Sequence, residues 1–189
     1  MQRCYLFFCA ILLLTAQLNG QNDYEPNEEF PFGRYNPAAP EALRDYEPLI
    51  GECACTSTSR APDGSWQEAV AMTWRFKYIM NGWAIQDETL KADGKHSGSI
   101  RQYSPKEEHW LIHYYSSANP TASLPTWTGG KSGDKLIYRR PQKAPNGADG
   151  FYRLTFSDLS SEGFKWIGEW VSTDESIVYP TWKIDCQRK

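Results

Sequence analysis

The stretch from Trp66 to Glu88, WQEAVAMTWRFKYIMNGWAIQDE, alternates residue by residue and is interrupted only at Met80-Asn81-Gly82. Trp66, Glu68, Val70, Met72, Trp74, Phe76 and Tyr78 fall on one side of an extended chain, and Gln67, Ala69, Ala71, Thr73, Arg75 and Lys77 on the other. One side is mostly aromatic and the other mostly polar, the pattern of a strand with one buried face. Asn-Gly between two such runs predicts a β-hairpin, because both central positions of a type I′ turn require positive φ. The rest of the chain repeats this hairpin's pattern.

Ile50 to Ser59 reads as a strand of the same short alternation, ended by a turn at Ala61-Pro62-Asp63-Gly64. Further strands are predicted over Gly98 to Tyr103, His109 to Ser116, Asp134 to Arg140, Phe151 to Phe156, Gly163 to Ser172 and Ile177 to Cys186. Turn-rich segments separate them, which makes about nine strands in all. The segment Ser117 to Gly133 is rich in Pro, Gly, Ser and Thr and reads as a long surface loop, with a mobile lid as the other reading. After Gly51 no segment has a helical apolar period, so a parallel α/β sheet is excluded. The expectation is an all-β antiparallel meander of 8–10 strands closing into a barrel, with a sandwich as the other possibility. A barrel leaves no exposed sheet edge.

Before the strands lie three segments of different character. Arg3, the apolar run Tyr5 to Leu14 and the small residue Gly20 have the order of a secretory signal peptide. Cleavage is expected after Gly20, with Ala16 as the other site, and the protein is expected to be secreted. From Gln21 to Pro40 the chain carries four Pro, several acidic residues and no apolar period, which reads as a flexible arm. Pro40-Glu41-Ala42-Leu43 then suits a helix start, with Leu43, Tyr46 and Leu49 on one face and Pro48 near its end. The expected organisation is therefore residues 1–20 signal peptide, 21–40 arm and 41–189 barrel.

A formal charge of -3 with scattered Lys and Arg argues against nucleic acid as a partner. Eight Trp, eleven Tyr and eight Phe favour pleated, half-buried surfaces. After signal removal three Cys remain. Cys53 and Cys55 share one face of the first strand, and Cys186 is near the end of the last. If first and last strands pair, Cys53 or Cys55 can bond Cys186, and the sequence does not choose between them. A metal set would need a fourth ligand, usually His, so no metal site is expected.

His96 lies in a Gly/Lys/Ser turn and is expected to be exposed. His109 and His113 share a face with Leu111 and Tyr115, opposite the more apolar Trp110, Ile112 and Tyr114, which places both His outside. The competing reading turns His113 inward as a general base or haem ligand. Asp87 and Arg101 are the charges expected to reach the interior, or else to pair at the rim. No nucleophilic triad order, phosphate loop or metalloprotease motif is present.

Several segments carry a family likeness. Leu49-Ile50-Gly51-Glu52-Cys53 resembles the Leu-x-Gly-x-Trp opening of lipocalin-like (calycin) barrels, in particular a secreted and bacterial family of unknown function. Trp74-Arg75-Phe76 with Met80-Asn81-Gly82 resembles its Trp-x-Phe strand and turn. Ala84-Ile85-Gln86-Asp87, Arg101-x-Tyr103-Ser104-Pro105, Trp110 and Phe164-x-Trp166-x-Gly168-Glu169 come after it in order. The opening Trp is replaced by Cys53, so the barrel floor has to be built differently. The resemblance implies a cavity but supplies no catalytic residues. Haem-binding relatives use a His near the C-terminus, and none lies beyond His113, so no cofactor is expected.

The leading expectation is a secreted, monomeric barrel binding a small apolar or amphipathic ligand. Trp74, Phe76, Trp110, Ile112, Tyr114, Trp166 and Trp182 would line its cavity, with Asp87, Arg101 and Tyr103 as polar selectors. An enzyme using Asp87, His113 or Tyr103 as an isomerase-type acid/base set is a second possibility, and a non-binding interaction scaffold a third.

Overall fold

Ten strands run antiparallel in a single meander: β1 (Gly51–Ser59), β2 (Val70–Ile79), β3 (Ala84–Lys91), β4 (Ser97–Ser104), β5 (His109–Ser116), β6 (Thr126–Ser132), β7 (Lys135–Pro141), β8 (Gly150–Ser157), β9 (Gly163–Ser172) and β10 (Val178–Arg188). The computed structural model describes residues 22–189, so the signal-peptide segment 1–20 lies outside the described residues. Each strand pairs with its sequence neighbours, and β10 returns to pair with β1, closing the barrel. One 3-10 helix, Glu41–Leu49, precedes β1.

The alternation of β2 is realised as read: Met72, Trp74, Phe76 and Tyr78 are buried, and the residues between them are partly or fully exposed. The β2–β3 connection is longer than the two-residue turn expected. Ile79 pairs with Ala84, and Met80, Asn81 and Gly82 all have positive φ. β2 also starts at Val70; Trp66 joins the sheet only through an isolated bridge to Arg60.

The tenth strand is β6, inside the segment expected to be a surface loop. Its register pairs Trp110 with Gly129 and Ile112 with Trp127. Gly129 has φ +151, and the Ile137 carbonyl oxygen occupies the place where a Cβ would stand, so only Gly fits. The Gly129-Gly130 pair that disguises this strand is what lets β6 press close to β7.

Alternate turns gather at opposite ends of the barrel, and the two ends are built differently. At the end holding the β2–β3 connection, Leu43, Tyr46 and Leu49 of the helix are fully buried and plug the barrel. This helix forms the floor of the barrel. Tyr46 meets Trp110 edge-on at 4.7 Å between ring centroids, and Phe76, Phe156 and Phe164 pack into one aromatic layer with Trp74.

Residues 22–40, the segment expected from its composition to be an arm, are hydrogen-bonded to this closed end. The Phe32 carbonyl accepts the Tyr78 N–H at 2.9 Å, beyond the last β1–β2 partner pair, Gly51 and Phe76. Asn81 Oδ1 accepts the Tyr24 N–H at 3.1 Å, and Asn36 Nδ2 donates to the Asn81 carbonyl at 3.0 Å. Side-chain amides, invisible to an apolar period, hold the segment down.

Cys55 is the residue that pairs with Cys186. The register places them directly opposite, Cα atoms 4.1 Å apart, while Cys53 faces Arg188 and remains a free, buried thiol. The bond joins residues 131 apart across the closing seam, a loop whose constraint contributes roughly 4 to 5 kcal/mol in the chain-entropy account.

Candidate functional site

A cavity of about 280 Å³ occupies the half of the barrel opposite the helix plug. Its lining comes from every strand from β2 through β10, because inward positions two residues apart on each strand step toward the mouth. The β3–β4 side is polar, with Asp87, Thr89, Ser97, Ser99 and Arg101. The remaining wall is largely apolar and aromatic, with Trp74, Ile112, Trp127, Leu154, Trp166 and Trp182 among its members.

A fully buried hydrogen-bond chain links the polar side to the plug. Arg101 Nε donates to Asp87 Oδ1 at 2.8 Å, Trp74 Nε1 donates to Asp87 Oδ2 at 2.9 Å, and Ser99 Oγ also donates to Asp87 Oδ1. On its other side Arg101 Nη1 donates to the Tyr46 hydroxyl at 2.9 Å, which lies 2.5 Å from the Tyr138 hydroxyl. The guanidinium carbon of Arg101 also sits 5.2 to 5.4 Å from the ring centroids of Tyr46, Phe76 and Phe156. Burial opposes its charge, but the Asp87 carboxylate outweighs that and holds its pKa above the ordinary arginine value. Burial likewise pushes the Tyr46 and Tyr138 phenols upward. The chain fixes the floor of the cavity in one arrangement and neutralises both of its charges.

Seven of the ten side chains expected to line the cavity do so: Trp74, Asp87, Arg101, Ile112, Tyr114, Trp166 and Trp182. Phe76, Trp110 and Tyr103 do not. Phe76 and Trp110 are fully buried in the plugged half, and Tyr103 packs against Trp110 there at 5.7 Å between centroids. They share an inward face with the lining residues but lie at a different depth.

His109 and His113 face outward, the latter with Nδ1 3.0 Å from Thr126 Oγ1 on the neighbouring strand, and His96 is exposed. Asp87, His113 and Tyr103 therefore do not converge, and the acid/base set considered from the sequence is not assembled. Among the described residues no group of His, Cys, Asp and Glu is placed to hold a metal ion.

Sequence reasoning missed Thr89, Ser97, Ser99, Trp127, Arg140, Gln142, Tyr152, Leu154 and Ile184 in the lining. Trp127 was hidden in the apparent loop. Its indole Nε1 is buried without a hydrogen-bond partner, as is Arg140 Nε, and the Arg140 guanidinium stacks 4.5 Å from the Trp127 ring centroid. Arg140 Nη2 donates to Gln142 Oε1 at 2.8 Å. An inward aromatic at a strand centre was the available signal for Trp127, had β6 been recognised.

The same architecture occurs in a solved protein. The crystal structure of Rv2717c from M. tuberculosis superposes with a TM-score of 0.53 at 12% identity, over 80% of this chain and 99% of that one. The fold is calycin-like. EF1p2_mFAP2b bound to DFHBI is similar over 79% of this chain and 100% of its own, at 15% identity. A redesigned beta barrel is similar over 77% and 96% respectively, at 12% identity. At TM-scores of 0.35 and 0.33 these two superpose only loosely. No protein-family model matches the chain, and no curated protein matches it in sequence.

Proposed function

We propose that this protein is a secreted, monomeric carrier or receptor for a small apolar or amphipathic molecule held in the barrel cavity. The observation that carries the reading is the cavity itself: about 280 Å³ left unfilled in an interior otherwise packed with aromatic rings. It is near the lower end of pockets that hold small molecules, about 300 to 1,000 Å³, and has their usual mixture of apolar wall and few placed polar groups. Interiors normally close such space, because unfilled volume costs stability. The Cys55–Cys186 disulfide supports an oxidising destination, and a closed barrel has no strand edge through which to associate.

Titration with an environment-sensitive apolar dye tests the reading. Saturable enhancement is expected, and it should be lost in Ser97→Trp, which plugs the mouth, and in Leu154→Trp, which fills the interior. Equal dye binding by wild type and both variants would place the dye elsewhere and overturn the proposal. N-terminal sequencing of the exported protein should begin after Gly20 or Ala16, whereas an intact Met1 would contradict secretion by this route.

A further inference from the structure

The described residues hold three cysteines and one disulfide, so one thiol is left over. Cys53, Cys55 and Cys186 are all buried at the β1–β10 seam, with Cys53 and Cys55 on the same inward face of β1. A free thiol in a chain bound for an oxidising compartment calls for an explanation, because it can react with other molecules before it is buried. Packing alone does not require sulfur beside the seam bond; any small apolar side chain would fill the place of Cys53.

The order of bond formation supplies the reason. In the unfolded chain Cys53 is the nearest thiol to Cys55, whereas Cys186 is 131 residues away. Closing the short ring costs far less chain entropy, so a disulfide donor that meets the unfolded chain joins Cys53 to Cys55 first. The folded strand forbids that bond. Residues two apart on an extended strand have parallel Cβ directions about 6.6 Å apart, while a disulfide needs Cβ atoms about 3.5 to 4.5 Å apart. The register supplies the alternative partner: Cys186 stands opposite Cys55 with Cα atoms 4.1 Å apart, and Cys53 stands opposite Arg188. Arg188 pins that register, since its Nη1 donates to the carbonyls of Leu49 and Ile50 at 3.3 and 3.1 Å.

We propose that Cys53 is a relay thiol for closing the barrel: it holds a first disulfide with Cys55 and surrenders it to Cys186 when β10 docks on β1. In the first step a disulfide donor of the export compartment oxidises the Cys53 and Cys55 thiols to one disulfide and is itself reduced to two thiols. In the second, the Cys186 thiolate attacks Cys55 Sγ and the bond to Cys53 breaks. Cys53 leaves with the electron pair and takes up a proton. The exchange conserves the number of disulfides and needs no further oxidant. Folding drives it, because β1 cannot extend until the bond has moved. Afterwards Cys53 is fully buried, and burial raises its thiol pKa, which disfavours the thiolate that reversal needs. The relay rests on the reading of the chain as exported and is independent of what the cavity holds.

The test uses the purified protein, reduced in urea and then treated briefly with oxidised glutathione. Trypsin cuts after Arg44 and Arg60 and after Lys183 and Arg188, so Cys53 and Cys55 share one peptide and Cys186 lies on another. After alkylation of free thiols, mass spectrometry should find the early bond inside the first peptide and the alkyl group on Cys186. A sample left unalkylated, freed of glutathione in acid and diluted from urea at neutral pH, should fold and move the bond to Cys55–Cys186 with no oxidant present. Cys53 is then the thiol that alkylates once the product is denatured. Cys53→Ala, its folding checked by near-UV circular dichroism, should reach the same final bond several-fold more slowly under identical oxidation. If that variant does not fold, the transfer within the wild-type chain decides the matter. An early bond that already joins the two peptides, an internal bond that persists after dilution, or a folded Cys53→Ala that oxidises at the wild-type rate would overturn the relay. Export is tested separately by the N-terminus of the protein, so the two failures are distinguishable.

Discussion

Arg101 and Asp87 form an ion pair across 2.8 Å with each side chain only 4% exposed, so two formal charges lie inside a barrel packed with aromatic rings. Such a pair is costly to desolvate, and its retention depends on each remaining polar atom being satisfied. Ser99, Trp74 and Tyr46 supply those bonds. The arrangement makes the pair a fixed floor for the cavity and couples it to the helix plug.

Removing one partner should be far worse than removing both. Asp87→Leu leaves a buried guanidinium uncompensated and is expected to cost about 3 to 5 kcal/mol, measured by urea unfolding. Adding Arg101→Met to that variant should recover a large part of the loss. A double variant no more stable than Asp87→Leu alone would contradict this view of the pair.

Tyr46 should matter for its hydroxyl as well as its ring. Tyr46→Phe keeps the edge-on contact with Trp110 but strands Arg101 Nη1 and the Tyr138 hydroxyl, for an expected loss of about 1 to 3 kcal/mol. Equilibrium denaturation gives the value, and an effect below the error of the measurement would remove the hydroxyl from the network.

Alkaline pH should unfold the barrel cooperatively. Burial raises the phenols of Tyr46, Tyr138 and Tyr152 above their ordinary value of 10.0. A raised folded-state pKa means that the neutral phenol is the form favoured by folding. That stabilisation is intact below about pH 10 and is lost as pH rises through the higher folded values. Phenolate absorbance should therefore show a later, steep phase coincident with loss of near-UV dichroism. Smooth titration of all tyrosines near the ordinary value, with the fold intact, would contradict the burial of these groups.

The two cysteines of β1 should behave oppositely. Cys55→Ala opens the seam bond to Cys186 and is expected to cost about 2 to 5 kcal/mol, whereas Cys53→Ala, which only shortens a buried thiol, should cost about 1 kcal/mol. Non-reducing peptide mapping should join the Cys55 and Cys186 peptides; a Cys53 link would contradict the register.

Legibility in the sequence is bounded by what periodicity can encode. Alternation identifies which side of a strand faces inward, and it placed Trp74, Ile112 and Trp166 correctly. It says nothing of depth, so Phe76 and Trp110, two residues along the same faces, could not be told from lining residues; the helix with Leu43, Tyr46 and Leu49 decides which half is filled. Cys53 and Cys55 share a face for the same reason, and only the β1–β10 register separates them. The Pro/Gly-rich composition that concealed β6 also concealed Trp127, and with it part of the cavity wall. The closed barrel itself was readable because many short strands without a helical crossover leave few ways to bury their aromatic faces.

The central claim is that the cavity holds a small molecule, and native mass spectrometry of the protein purified from its natural source tests this most directly. An excess mass of one small apolar or amphipathic molecule is expected on the folded protein, released on denaturation and recoverable for identification. A folded protein bearing only the mass of its polypeptide, across repeated preparations in low-salt volatile buffer, would contradict the claim.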